Sequence, residues 1–134
     1  MSLKKSTFAF VETQLYCYHD TVNYMKTIRE EIQDSTGHDE TGIKAGFCTS
    51  VTETKAIKLA DHIMLREMKR ICDGIERVYK SLPEEKQKLV VHKYWNAERK
   101  MIAELAEVLH CGETTVKRWR EEIAIRVAMM LGWR

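Results

Sequence analysis

Residues 102–121 read IAELAEVLHCGETTVKRWRE, a stretch with the spacing of two short helices joined by a turn. Two short helices joined by a tight turn need a small side chain where they cross, and Ala106 stands at that position when Ile102 is counted first. The facing sides of both helices must also be apolar. All six positions of this small core hold a fitting residue: Leu105, Ala106, Leu109, Cys111, Val116 and Trp119. The spacing therefore predicts a helix-turn-helix.

The turn between the two helices departs from the usual pattern at two residues. His110 occupies a position where glycine is common, and Gly112 occupies one where serine or threonine is common. Histidine accepts a positive φ better than most residues with a side chain, and glycine is an acceptable N-cap. We therefore expect the turn to form, with His110 at the position of the left-handed turn and Gly112 supplying flexibility that His110 lacks.

The second helix of this pair predicts contact with double-stranded DNA. Its inward face carries Val116 and Trp119, so Lys117 and Arg118 fall outside the core, where they could reach base edges or adjacent phosphates. Hydroxyls and backbone N–H groups of the first helical turn are expected to hold phosphate. Eight side chains are candidate DNA contacts: Arg99, Lys100, Glu113, Thr114, Thr115, Lys117, Arg118 and Arg120.

These eight side chains have different expected roles. Arg99, Lys100 and Arg120 are candidate clamps on the DNA backbone. Glu113 either accepts a hydrogen bond from cytosine or only complements the helix dipole. A plainer interpretation stays open, because residues 117–120 are also compatible with an ordinary solvated face around one buried tryptophan.

Composition indicates an all-α protein. One proline and six glycines in 134 residues are too few for the frequent turns of a β-sandwich or barrel, and 31% of the residues are charged. The formal net charge of +2 neither supports nor excludes a nucleic-acid partner, since only local clustering of charge matters.

The N-terminal part predicts a long helical hairpin over residues 1–82. Apolar residues recur at spacings of three and four along residues 4–34 and again along 52–80, with a glycine-bearing loop at 35–51 between them. We expect this hairpin to serve oligomerisation, with a dimer favoured, or contact with RNA polymerase. Residues 83–134 then form the DNA-binding domain.

The third helix is expected over residues 83–96. Ser81 and Glu84 have the spacing of a capping box at its start, and a proline is tolerated in a first helical turn.

Several kinds of site lack support in the sequence. The four cysteines, Cys17, Cys48, Cys72 and Cys111, are too far apart for a zinc motif and are expected to be reduced and mostly buried. No nucleophile–base pattern stands out, so we expect no enzyme, no cofactor and no metal. Neither a secretory signal nor about 20 consecutive apolar residues is present, which predicts a cytoplasmic protein without a membrane partner.

The chain resembles the phage transcriptional regulators of the RinA/ArpU type over nearly its whole length. The resemblance rests on the order of several segments: the long first helix, the glycine-bearing loop, residues 75–82 (IERVYKSL), 93–95 (KYW) and 114–120 (TTVKRWR), and the final Leu131-Gly132. It implies a protein associated with the bacterial nucleoid that switches on late phage genes by binding promoter DNA. It also implies a C-terminal part similar to region 4 of sigma factors.

The sequence is also compatible with two other functions. A phage small terminase subunit also combines a helix-turn-helix with long helices, but it would form a ring and recognise packaging-site DNA. The second alternative is a helical protein-interaction module that does not touch DNA.

Overall fold

The computed structural model describes the backbone of residues 3–39, 48–98 and 100–133, and the side chains of these ranges outside 32–58. Within them the chain is entirely helical apart from short connections and contains no strand, which confirms the predicted all-α class. The helices run as follows: α1 Lys5–Tyr16, α2 Tyr18–Asp39, α3 Cys48–Ser81, α4 Glu84–Lys93, α5 Ile102–Leu109 and α6 Glu113–Leu131. None of the described helices has an apolar stretch long enough to cross a lipid bilayer.

The first long helix differs from its prediction in the middle and at its C-terminal end. It is interrupted at Cys17, whose φ of −89° and ψ of 1° separate α1 from α2. It then continues through Gly37 to Asp39, because one glycine costs only about 1 kcal/mol inside a helix and does not end it without a further stop signal. The predicted loop at 35–51 is therefore helical at 35–39 and 48–51, and its residues 40–47 lie outside the described residues.

The predicted capping box before α4 is wrong. The Ser81 hydroxyl donates to the backbone oxygen of Val78 at 2.7 Å, so it bonds back into α3. The N-cap of α4 is Pro83, with no side-chain hydrogen bond, and the helix ends at Lys93, three residues earlier than predicted. The long α3, by contrast, includes the whole predicted range 52–80.

The chain divides into two compact units. The first contains residues 1–19 and 71–134, and the second contains residues 20–70. This division differs from the predicted boundary after residue 82, because apolar side chains of α1 and of the last part of α3 are buried in one core with α4, α5 and α6. In the second unit, Met25 and Ile28 of α2 are buried.

Helix α6 is the centre of the first unit. It packs against α1, α4 and α5, and six of its residues are buried: Val116, Ile123, Ala124, Val127, Ala128 and Leu131. Gly74 of α3 lies next to the end of α6, where a Cβ would lie 2.8 Å from Leu131 Cδ2. The unit therefore holds α6 from several sides and leaves part of its first half exposed.

Candidate nucleic-acid interface

The connection between α5 and α6 is closed by backbone hydrogen bonds. His110 follows α5 with φ 54° and ψ 46°, the left-handed conformation expected from the sequence. Its N–H donates to Glu107 O at 3.3 Å, and the N–H of Cys111 donates to Ala106 O at 3.0 Å, which together form a Schellman motif. Gly112 then opens α6 in an extended conformation. The turn is short and leaves little freedom in how the two helices are placed.

The six residues of the predicted small core lie on the inner side of α5 and α6. Leu105, Ala106 and Val116 are buried. The other three, Leu109, Cys111 and Trp119, are partly buried and pack against the same core. The rim of this core therefore remains accessible to solvent, whereas its centre is closed.

The candidate DNA contacts on the first half of α6 form an exposed strip. Glu113, Thr114, Lys117 and Arg118 are exposed, and the spacing of four residues places 113 beside 117 and 114 beside 118. Thr114 and Arg118 lie on the side of the helix opposite the buried Val116. This strip presents two cations, a hydroxyl and a carboxylate to solvent.

The remaining candidates lie elsewhere. Thr115 is half-buried, and Lys100 is half-buried in the segment before α5. Arg99 lies outside the described residues. The structure thus brings together four of the eight candidates on one exposed surface of α6.

Arg120 faces α1 instead of joining this strip. Its Nε lies 3.7 Å from Glu12 Oε2, and its guanidinium carbon lies 4.9 Å from the centre of the Phe8 ring. Its side chain is 28% exposed. An ion pair and a cation–π contact therefore hold the predicted backbone clamp against the first helix.

Glu12 also connects to the segment around the end of α4. Tyr94 Oη donates to Glu12 Oε2 at 2.6 Å, and Lys93 Nζ lies 4.0 Å from the same oxygen while donating to Tyr16 Oη at 3.0 Å. Burial, and then donation to this carboxylate, hold the pKa of Tyr94 well above its ordinary value. Because the contacts come from α1, α4 and α6, this network sets how α6 is held.

A second polar contact joins α4 directly to α6. Lys86 Nζ donates to Glu122 Oε2 at 2.6 Å. This hydrogen bond, with the nearby positive charges, lowers the pKa of Glu122 below its ordinary value. The contact therefore favours the ionised carboxylate.

Sequence reasoning missed a cleft of about 330 Å³ beside the exposed strip, here named the α1–α6 cleft. Its lining comes from the start of α1, the start of α5 and the middle of α6: Leu3, Lys5, Phe8, Ile102, Lys117, Arg120 and Glu121. A signal for it was present, because Lys4 and Lys5 stand at the start of α1, whose first turn contains no acidic residue. The sequence pattern did not predict that α1 packs against α6, which is what forms the cleft.

Residues 16–128 match the family described as protein of unknown function, DUF722. No curated protein and no solved structure matches the chain. The matched range includes α5, nearly all of α6 and all six residues of the small core between them.

Proposed function

We propose that this chain, which belongs to the DUF722 family, binds double-stranded DNA in a sequence-specific way through a helix-turn-helix formed by α5 and α6. The observation that carries the proposal is the exposed strip on the first half of α6, directly after the left-handed turn at His110. A reading helix must present polar side chains near its N-terminus while its other face is anchored in a core. Both conditions hold for α6.

In this proposal, α6 enters the major groove with its N-terminal half. Arg118 reaches a base edge, since a guanidinium can donate two hydrogen bonds to one guanine, and Lys117 reaches a base edge or the neighbouring phosphate. Thr114 and the N–H groups of the first turn hold phosphate with the aid of the helix dipole. Lys100, in the segment before α5, contacts the DNA backbone in this proposal.

The biological role follows from the resemblance to the RinA/ArpU regulators. We propose that the protein activates late phage genes by binding promoter DNA in the nucleoid of the bacterial host. The helices of the second unit would contact host RNA polymerase or a second copy of the chain. In this proposal the protein acts only by binding DNA and protein partners. It catalyses no reaction and needs neither a metal nor a cofactor.

The test is the double substitution Lys117→Ala/Arg118→Ala. Genome-wide capture of DNA from phage-induced cells first supplies a bound duplex, and its enrichment upstream of late genes would support the proposed role. On that duplex, we expect the double variant to bind at least about tenfold more weakly in a gel shift, because two charge-assisted contacts are lost. Each lost phosphate contact should also reduce the dependence of binding on salt by about one unit of log–log slope.

The chain offers a matched control in Arg77→Ala/Lys80→Ala. It removes the same two types of cation from exposed positions of α3 and should leave DNA binding unchanged. Equal binding by wild type and the Lys117/Arg118 variant would contradict the assigned surface. Capture of packaging-site DNA would instead favour a small terminase subunit, and no enrichment would favour a protein-interaction module.

A further inference from the structure

We propose that the α1–α6 cleft binds a phosphate group of the DNA backbone, beside the groove that α6 reads. The inference rests on the proposed function and adds the start of α1 to the DNA-binding surface. The cleft reaches from Lys5, the first residue of α1, to Lys117 on the exposed strip of α6. A phosphate held there would be part of the same duplex that the strip contacts.

The charge of the lining favours an anion. The lining contains three cations, Lys5, Lys117 and Arg120, and one carboxylate, that of Glu121. The charge of Arg120 is offset by Glu12, whose Oε2 lies 3.7 Å from the Arg120 Nε. Most of the positive potential therefore comes from the two lysines. Both lysines are exposed and come from different helices. They can therefore approach one phosphate from two directions.

The start of α1 adds to this potential. The N-terminal end of a helix carries a partial positive charge, which an acidic residue in the first turn commonly offsets. The first turn of α1 has no acidic residue, and its N-cap, Lys4, makes no side-chain cap hydrogen bond. Lys5 places a further positive charge at this same end. An anion in the cleft would stabilise all of these charges together.

The shape of the cleft suits a unit of the sugar–phosphate backbone. Leu3, Phe8 and Ile102 supply apolar surface between the charged groups. Apolar walls strengthen the attraction between the lysines and an anion, because they replace water around it. The volume of about 330 Å³ exceeds that of a bare phosphate ion and leaves room for the adjoining sugars.

The experiment measures binding of the full chain to the captured duplex by fluorescence anisotropy over a series of salt concentrations. We expect Lys5→Ala to weaken binding about fivefold and to lower the slope of log affinity against log salt by about 0.9, the loss of one phosphate contact. Lys5→Arg should keep both values, because it keeps the charge. Lys80→Ala, which removes an exposed lysine of α3 outside the cleft, should also leave them unchanged.

Each contrary result separates the cleft from the proposed function. If Lys5→Ala binds as wild type does while Lys117→Ala/Arg118→Ala is weakened, the cleft is not a DNA contact and the DNA-binding function stands. If wild type binds no captured or random duplex, both proposals are wrong. A loss of slope in Lys80→Ala equal to that in Lys5→Ala would indicate a general charge effect and contradict the cleft.

Inorganic phosphate serves as a second probe. Nuclear magnetic resonance should show that millimolar phosphate shifts the backbone amides of residues 5–7 in wild type and that Lys5→Ala reduces these shifts. Such shifts, combined with DNA binding that does not depend on Lys5, would identify a site for a free phosphate compound and overturn the assignment to DNA. No shift at these amides would contradict an anion site in the cleft.

Discussion

At the scale of single residues, His110 determines how α5 is followed by α6. It has φ 54°, and among the described residues it is the one non-glycine position with a positive φ. The left-handed conformation costs an ordinary L-residue roughly 1–2 kcal/mol, although histidine tolerates it better than most. Two backbone hydrogen bonds of the Schellman motif offset this cost. The turn therefore forms although histidine has a higher steric cost in this conformation than glycine would have.

We predict that His110→Gly stabilises the protein and that His110→Val destabilises it. Glycine removes the steric cost but adds entropy to the unfolded chain, so we expect a gain of about 0.5 kcal/mol in the free energy of unfolding. A β-branched residue should lose more than about 1 kcal/mol at this position. Urea denaturation followed by tryptophan fluorescence measures both changes.

The exposed histidine also supplies an internal check. Because its side chain is exposed, His110→Gly should retain the fold and DNA affinity of wild type. A glycine variant less stable than wild type would contradict the prediction, because the added entropy of the unfolded chain, with any lost histidine contact, would then exceed the steric cost.

At the scale of helices, the first half of α6 has two different sides. One side packs into the core, and the opposite side is exposed to solvent. Val116 is buried with the core, whereas Thr114 and Arg118 are exposed on the other side. Polar contacts from two other helices hold this orientation: Glu12 of α1 reaches Arg120, and Lys86 of α4 reaches Glu122. Rotation of α6 would break both contacts together with the apolar packing.

We predict that Glu122→Gln lowers stability at neutral pH and loses this effect in acid. The pKa of Glu122 in the folded protein is lowered, mainly by the hydrogen bond from Lys86. The carboxylate therefore stabilises the fold above its unfolded pKa of about 4.3, and this contribution disappears as pH falls through the lower folded pKa. Because the Glu122 side chain is 42% exposed, we expect a difference of only about 0.5 kcal/mol at neutral pH.

Urea denaturation of both proteins at a series of pH values checks this prediction. Glu107→Gln, which changes an exposed carboxylate of α5, is the matched control and should show a smaller effect at every pH. A difference between wild type and Glu122→Gln that stays constant from neutral pH to below the folded pKa would show that the lost ion pair is not its cause.

At the scale of the whole chain, the residues divide into two compact units, and the proposed DNA contact and the proposed dimer contact belong to different ones. The candidate DNA-binding strip belongs to the first unit. In the second unit, Leu59 and Ile63 of α3 are 62% and 59% exposed and stand one helical turn apart. Adjacent exposed aliphatic side chains of this size are common where protein chains associate. We therefore propose this pair as a dimer contact.

We predict that the protein is a dimer and that Leu59→Lys/Ile63→Lys makes it a monomer. A second DNA-reading unit would raise the specificity of a reader that has few cations. Light scattering after size exclusion measures the mass. The matched control is Lys26→Glu/Arg29→Glu, which changes charge at exposed positions of α2 in the same unit without touching the aliphatic pair and should leave the mass unchanged. A monomeric wild type would contradict the dimer, and a ring of many subunits would favour the terminase alternative.

The helix-forming patterns of the sequence were sufficient to predict much of the fold and part of the candidate site. Apolar spacing predicted α3 and the burial of Leu105 and Val116, because a side chain's face on a helix follows from its position along the chain. The same rule placed Lys117 and Arg118 outside the core. It did not predict the interruption at Cys17, where apolar spacing continues on both sides.

By itself, the sequence determined the all-α class, the α5–turn–α6 pattern and the exposed positions at the start of α6, since each depends on neighbours within a few helical turns. Only the tertiary structure decided that Arg120 turns toward Glu12 and that Lys5 lines a cleft with Lys117. Those pairs are separated by about a hundred residues or more along the chain. Their proximity depends on the packing of α1 against α6, which the helical period of either segment does not specify.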